Sequence, residues 1–316
     1  MIIIIVILLS CIISLAIIYY YYSKIRNELK IIDTPITNNQ IRYRTVDSKK
    51  LFPTSYNFGK GVNLVRNIYN KNRNMGVLIF DKDVTEIGEK AFEGGLFNSS
   101  RLLEIILPNS INKIGDRAFD GCGRLNNINI PNEVESIGYS AFSRCGLTHI
   151  NIPKSVTVIK GSFADNKGLR HFEGPYATKD HRCIVIKGHL VAFAPYKLSE
   201  YTIPADAGVK VIDYDAFNSK ELLKVVIPEG VETIKFAAFL DSYYLREVTI
   251  PSSVKTIENM AFYVEALNKI NIPDDSSIDL SMILGNDSDN DDDDDDDEID
   301  EIDEIDEFDE FDEFEV

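Results

Sequence analysis

Four histidines, four cysteines and a run of aspartates have the most obvious capacity for chemistry in this 316-residue chain. His149 and His171 stand 22 residues apart, with Glu173 just beyond the second. A zinc site wants four ligands at fixed distances, and Glu173 is the one further candidate, so two solvated histidines is the preferred reading. His181-x-Cys183 with His189 makes a second set. It has no fourth ligand and no C-x-x-C pair, which leaves the zinc case weak. Cys122 and Cys145 could close a disulfide in an oxidising compartment or form a pair of buried free thiols. The spacing Asp287, Asp289, Asp291, Asp295, Glu298 mimics the ligand positions of an EF-hand loop. Asp292 fills the position that needs glycine, however, and no helical pattern flanks it; what remains is loose association with divalent cations. There is no G-x-x-x-x-G-K, no G-x-S-x-G and no H-E-x-x-H. The expectation is no enzyme, no catalytic residue, no cofactor and no metal site.

The elements that must carry these residues are set by repetition. Proline recurs at 108, 131 and 153, and again at 204, 228, 251 and 273, at intervals of 23, 22, 24, 23 and 22 residues within the two runs. Each ends one phrase: leucine, two residues, an apolar residue, one residue, an apolar residue, proline. Leu125/Ile128/Ile130 and Leu222/Val225/Ile227 are examples, and Met75/Leu78/Phe80 is a degenerate first copy. A second phrase follows, with an apolar residue, Ile and an Ala-Phe pair, as in Val134/Ile137/Ala141-Phe142 and Val231/Ile234/Ala238-Phe239. Alternation such as Ile128-x-Ile130 reads as a short strand with one buried face. Proline, lacking an N–H, ends it. A lone copy buries too little to stand, whereas stacked copies cover each other, which is the logic of a solenoid.

The stretch Ile128 to Pro153, INIPNEVESIGYSAFSRCGLTHINIP, strongly resembles the BspA-like leucine-rich repeats and their I-P-x-x-V-x-x-I-G-x-x-A-F-x-x-C-x-x-L pattern. Ile137-Gly138, Ala141-Phe142 and Cys145 stand at those positions, as do Ile114-Gly115, Ala118-Phe119 and Cys122. The resemblance covers about residues 75–273. It implies a leucine-rich repeat solenoid of short parallel strands, turns and short helices in a right-handed coil, and a surface protein that binds host, matrix or cellular proteins without catalysis. It also implies that Cys122 and Cys145 are a ladder of free thiols.

Four segments follow. Residues 1–22 hold no charged side chain and end in Tyr19 to Tyr22, as an uncleaved single-pass transmembrane helix would. Leu8-Leu9-Ser10-Cys11 loosely resembles a lipoprotein box, but the apolar run continues past the cysteine. Residues 23–74 read as a polar stalk and N-terminal cap. Residues 75–284 are the solenoid, interrupted at 175–201 by a hairpin with a Lys187-Gly188 turn. Residues 285–316 are an acidic tail with apolar residues every third position, matching neither helix nor strand, and are expected to be disordered. Residues 287–316 hold 21 of the 51 acidic side chains and no Lys or Arg, so the rest carries 33 basic against 30 acidic residues. A body so near neutral has no stripe for nucleic acid.

The contact surface of a solenoid is its strand face, whose solvent positions lie two and four residues before each proline. The candidate partner-binding residues are Glu104, Ile106, Asn127, Asn129, His149, Asn151, His171, Glu173, Lys224, Val226, Glu247 and Thr249, and Val77/Ile79 would occupy the same positions in the first copy. Exposed Ile106 and Val226 read either as docking points or as residues that merely prefer strands. The expected function is membrane-anchored protein binding or adhesion. Lys24, Arg26 and Lys30 follow the apolar run and favour a cytoplasmic body. The alternative is therefore a tethered intracellular scaffold whose tail recruits basic partners or cations.

Overall fold

The computed structural model describes residues 2–94, 101–239, 242–262, 267–274 and 278. Residues 1–285 form one compact unit; the second, residues 286–316, holds the predicted acidic tail and lies outside the described residues.

The chain opens with helix α1, Ile2–Asp33. Among the described residues no helix is long and apolar enough to cross a membrane. The side chains of residues 1–11, half of the expected span, lie outside that description. Three longer strands follow: β1 (Gln40–Thr45), β2 (Leu64–Asn70) and β3 (Met75–Phe80). In β1, Ile41, Tyr43 and Thr45 point inward and alternate with Gln40, Arg42 and Arg44, the period-2 signature of a half-buried strand. β3 pairs antiparallel with both β1 and β2, and the other edge of β1 pairs antiparallel with Leu102–Ile106.

The expected stalk is thus largely a folded cap, and Met75–Phe80 is a central strand of that cap rather than a first coil. The buried Tyr43 phenol holds the cap together: it donates to Asn67 Oδ1 at 2.7 Å and accepts from the Leu51 amide at 3.2 Å. Its ring needs Gly76, where a Cβ would lie 2.1 Å from Tyr43 Cζ. The end of α1 rests on the sheet, Ile32 packing with Ile68 and Val77. This corrects the expectation that Val77 faces solvent.

From there each coil contributes two short strands. The front strands precede the prolines and pair in parallel, Leu102–Ile106 with Asn127–Ile128 and His149–Asn151 with His171–Glu173. Beyond the hairpin, Glu200–Thr202, Lys224–Val226, Glu247–Thr249 and Lys269–Asn271 continue the pattern. The back strands are two residues long and end on the second-phrase isoleucine: Glu86–Ile87, Lys113–Ile114, Ser136–Ile137 and Val158–Ile159 form one stack. Val211–Ile212, Thr233–Ile234 and Thr256–Ile257 extend a second stack from the hairpin.

After the back strands the chain turns on a residue with positive φ, which immediately precedes the alanine at Lys90, Arg117, Ser140, Asp215 and Met260 and precedes Ser162 at Gly161. That turn drives phenylalanine into the centre. Phe92, Phe119, Phe142 and Phe163 stack at 5.4, 5.3 and 5.6 Å between centroids. Phe217, Phe239 and Phe262 stack at 4.9 and 4.7 Å, and Phe193, from the hairpin, tilts against Phe217 at 4.8 Å.

The interior is two apolar clusters, not one unbroken column. The hairpin Cys183–Ile186/His189–Phe193 divides them, because its strand alternation faces both ways. Ile184 and Ile186 join the first cluster, while Cys183, Leu190 and Phe193 join the second.

Candidate recognition surfaces

Front-strand pleating lifts every second side chain out of the core. Asn127, Asn129, His149, Asn151 and Glu173 are exposed; Glu104, Ile106, His171, Lys224, Val226, Glu247 and Thr249 are half-buried. All twelve predicted residues therefore sit on the front sheet or its edges, but they fall into two chemically different groups.

The first group runs from Glu104 to Glu173. Glu104 accepts from Asn127 Nδ2 at 2.9 Å and faces Arg44 of β1 at 3.6 Å. Asn129 uses both amide atoms on the Leu107 backbone, 3.0 and 3.3 Å away. The His149 and His171 rings stack at 5.6 Å, and His171 meets His181 edge-on at 6.4 Å. His171 Nε2 lies 3.4 Å from Glu173.

Among the described residues no group of three or more His, Cys, Asp and Glu is arranged to hold a metal ion. The second sequence set, His181, Cys183 and His189, is not brought together. Cys183 is buried against the Tyr201 hydroxyl, and His189 turns to Asp213 at 2.9 Å. Cys122 and Cys145 are free and buried; their thiols donate to the carbonyls of Phe92 and Phe119. Burial pushes both thiols well above their ordinary range.

The second group is an ion ladder. Glu247 takes Lys224 on one side at 3.3 Å and Lys269 on the other at 3.1 Å. The hydrogen bond from Lys269, followed by that from Asn271, holds its carboxyl below the usual glutamate range. Val226 lies between Thr202 and Thr249. Ile106 lies beside Arg42 of β1 on the other half, so the two apolar candidates do not form one patch.

Sequence reading missed an aromatic strip on the turn edge, with Tyr139 and Phe236 exposed and Tyr214 half-buried. Tyr139 and Tyr214 lie 5.9 Å apart, and Phe236 stacks on Tyr214 at 6.1 Å. Each stands two residues before an Ala-Phe pair, so lining up the repeats by that pair would have revealed it.

The family profile for the BspA type leucine rich repeat region matches residues 94–207 and 189–284, with 6 copies. The chain belongs to this family. No curated protein sequence matches it. Among solved structures, it is similar to a leucine-rich repeat protein of Eubacterium ventriosum at 25% identity, over 61% of this chain and 58% of that one, with a TM-score of 0.43. The pneumococcal vaccine antigen PcpA matches at 22% identity over 60% and 64%, with a TM-score of 0.38. A leucine-rich repeat protein of T. pallidum matches at 24% over 56% and 68%, with a TM-score of 0.32. The chain spans about three-fifths of the length of the first two. The BspA-type assignment rests on the repeat itself, whose Ile-Gly, Ala-Phe and Cys positions are buried or tightly packed throughout the first half.

Proposed function

We propose that this BspA-type protein is a membrane-anchored, non-enzymatic adhesion protein that recognises another protein through the first half of its front sheet. One observation carries the reading. Between Asn127 and Glu173 the outward side chains are exposed amides, imidazoles and a carboxylate, and among the described residues no ion pair there links one coil to the next. Asn127 and Asn129 are engaged by Glu104 and the Leu107 backbone, so the groups offered to a partner are those of the next two coils, His149, Asn151, His171 and Glu173, which pair with a partner at little desolvation cost. The ladder Lys224–Glu247–Lys269 satisfies itself and is the poorer surface. The apolar run ending in four tyrosines supports anchoring at residues 1–22.

The test is binding of the full-length chain to immobilised matrix proteins such as fibronectin, laminin and collagen. His149→Ala/Asn151→Ala/Glu173→Ala should weaken binding at least about tenfold, the effect of losing about 1.4 kcal/mol. Lys224→Ala/Glu247→Ala should leave it within about twofold. Absence of binding, or equal losses in both variants, defeats the reading.

A second reading, the tethered intracellular scaffold, is favoured by Lys24, Arg26 and Lys30 after the apolar run. Digestion of the acidic tail by protease added to intact cells excludes it; protection until permeabilisation selects it.

A further inference from the structure

On the turn edge, where the two halves meet, a groove of about 410 Å³ opens, within the size range of small-ligand sites. Its charged lining is Arg117, Arg144 and Lys220 against Asp120, Asp165 and Asp215, three of each sign. Asp120 is almost wholly buried and accepts from Arg144 at 3.0 and 2.7 Å and from Arg117 Nε at 3.2 Å. Asp165 faces Lys220 at 3.5 Å, and Asp215 accepts from Asn218 at 2.9 Å. A phosphate or a metal ion would meet as much repulsion as attraction here.

The groove instead presents a lining with no net charge, in which the ionic groups pair with one another and one hydroxyl does not. Ser143 Oγ also lines it, is buried, and has no hydrogen-bond partner among the described residues. A buried hydroxyl left unpaired calls for a polar group to satisfy it. Tyr139, which is exposed, forms part of the same wall and is the first ring of the strip Tyr139–Tyr214–Phe236.

We propose that this groove and strip bind a neutral oligosaccharide. Sugar rings present C–H faces that lie on aromatic rings and hydroxyls that both donate and accept, so one ligand class matches both halves of the site. The exposed rings Tyr139 and Phe236, on either side of half-buried Tyr214, offer separate stacking places, which selects a chain of sugars over a single one. The site is on a different edge from the front sheet, and its occupancy does not depend on the adhesion reading.

Affinity electrophoresis tests this. The full-length chain is run through native gels containing laminarin, mannan, hydroxyethyl cellulose or soluble starch, with dextran sulfate as the anionic control. Retardation in at least one neutral gel is expected. Tyr139→Ala/Tyr214→Ala should weaken it roughly tenfold, equivalent to about 1.4 kcal/mol; Tyr139→Phe, which keeps the ring, should retain it. If the double variant no longer melts cooperatively, Phe236→Ala, at the exposed end of the strip, is read in its place. Unaltered migration in every neutral gel overturns the proposal. So does retardation that survives loss of the rings, or retardation by dextran sulfate alone.

Discussion

Between Ile87 and Ile137 the residue after each back-strand isoleucine is glycine; after Ile212, Ile234 and Ile257 it is Asp213, Lys235 and Glu258. In the first half glycine lies over glycine, and a Cβ on Gly115 would come within 2.8 Å of the Glu89 nitrogen and the Gly88 carbonyl carbon. In the second half the same position accommodates a charged side chain. There Glu232 faces Lys210 and Lys255, each at 3.4 Å, and Asp213 lies 3.8 Å from Lys235. Along the back strands one half stacks by backbone proximity and the other by alternating charge from coil to coil, while the first half's inter-coil ion pairs, such as Asp120 with Arg144, lie on the turn edge. Two versions of one repeat can thus reach the same phenylalanine spine by different routes, and the surface left over differs accordingly: exposed amides and imidazoles on one, a self-neutralised ladder on the other.

The largest test concerns the spine. Phe119→Ala and Phe239→Ala each open a cavity in a stack of buried rings and should cost about 3–5 kcal/mol by urea denaturation. Because the hairpin separates two apolar clusters, Phe119→Ala should lower amide-exchange protection at Ile150 more than at Val248. Equal loss at both positions would mean that the septum transmits the damage and the halves are one cooperative unit.

Much of this spine was legible from spacing. The strand leucines, the second-phrase isoleucines and the Ala-Phe pairs are nearly all buried where the repeat puts them. What spacing hid was non-local. Gln40–Thr45 alternates as a strand should, but it lies in a segment whose average composition is polar, and its partners are 30 or more residues away. The back strands are only two residues long, too short for a period to be read. The septum shows as a hairpin, yet which core each of its faces serves follows only from where the coils on either side end. Strand alternation puts the twelve front-sheet residues on one face or its edges, but their pairing depends on which side chains lie above and below. A single repeat does not contain that information.

The next effect is on coil spacing. Gly115→Lys, which copies the residue at position 235, forces a Cβ against backbone and should destabilise by about 1–3 kcal/mol. Lys235→Gly should stay within about 1 kcal/mol, the ordinary entropic cost of glycine. If Gly115→Lys were neutral, the difference in packing between the halves would not be real.

A smaller effect should be common to both halves. Lys90 in the first and Met260 in the second hold φ near +56 and +58 before their alanines, and Gly161 occupies the same place in the irregular coil. An L-residue in this region costs about 1–2 kcal/mol, partly offset by the greater chain entropy that glycine loses. Lys90→Gly and Met260→Gly should therefore each raise stability by about 0.5–1 kcal/mol. Unequal gains would show that the turn, too, differs between the halves.

The smallest effect separates the halves by pH. Glu232 and Glu247 carry lowered carboxyl values, set first by the charge of Lys255 for Glu232 and by the Lys269 hydrogen bond for Glu247. A group with a depressed folded value contributes stability above its unfolded value, about 4.3, and loses it as pH falls through the folded one. Acid should therefore loosen the second half first, and because both carboxylates lie at the surface, in reach of solvent, the loss is modest. Cys122 and Cys145 have the opposite sign. Burial raises their folded values, so their contribution is complete below about pH 8.5 and is lost as pH rises beyond it. Cys183, similarly raised, faces the second core from the septum, so alkali weighs more heavily on the first half without being confined to it. Amide exchange should show Val248 losing protection relative to Ile150 at about pH 3.5, and the order reversing at about pH 10. The same order at both extremes would mean that neither the ladder nor the thiols account for how the coils hold together.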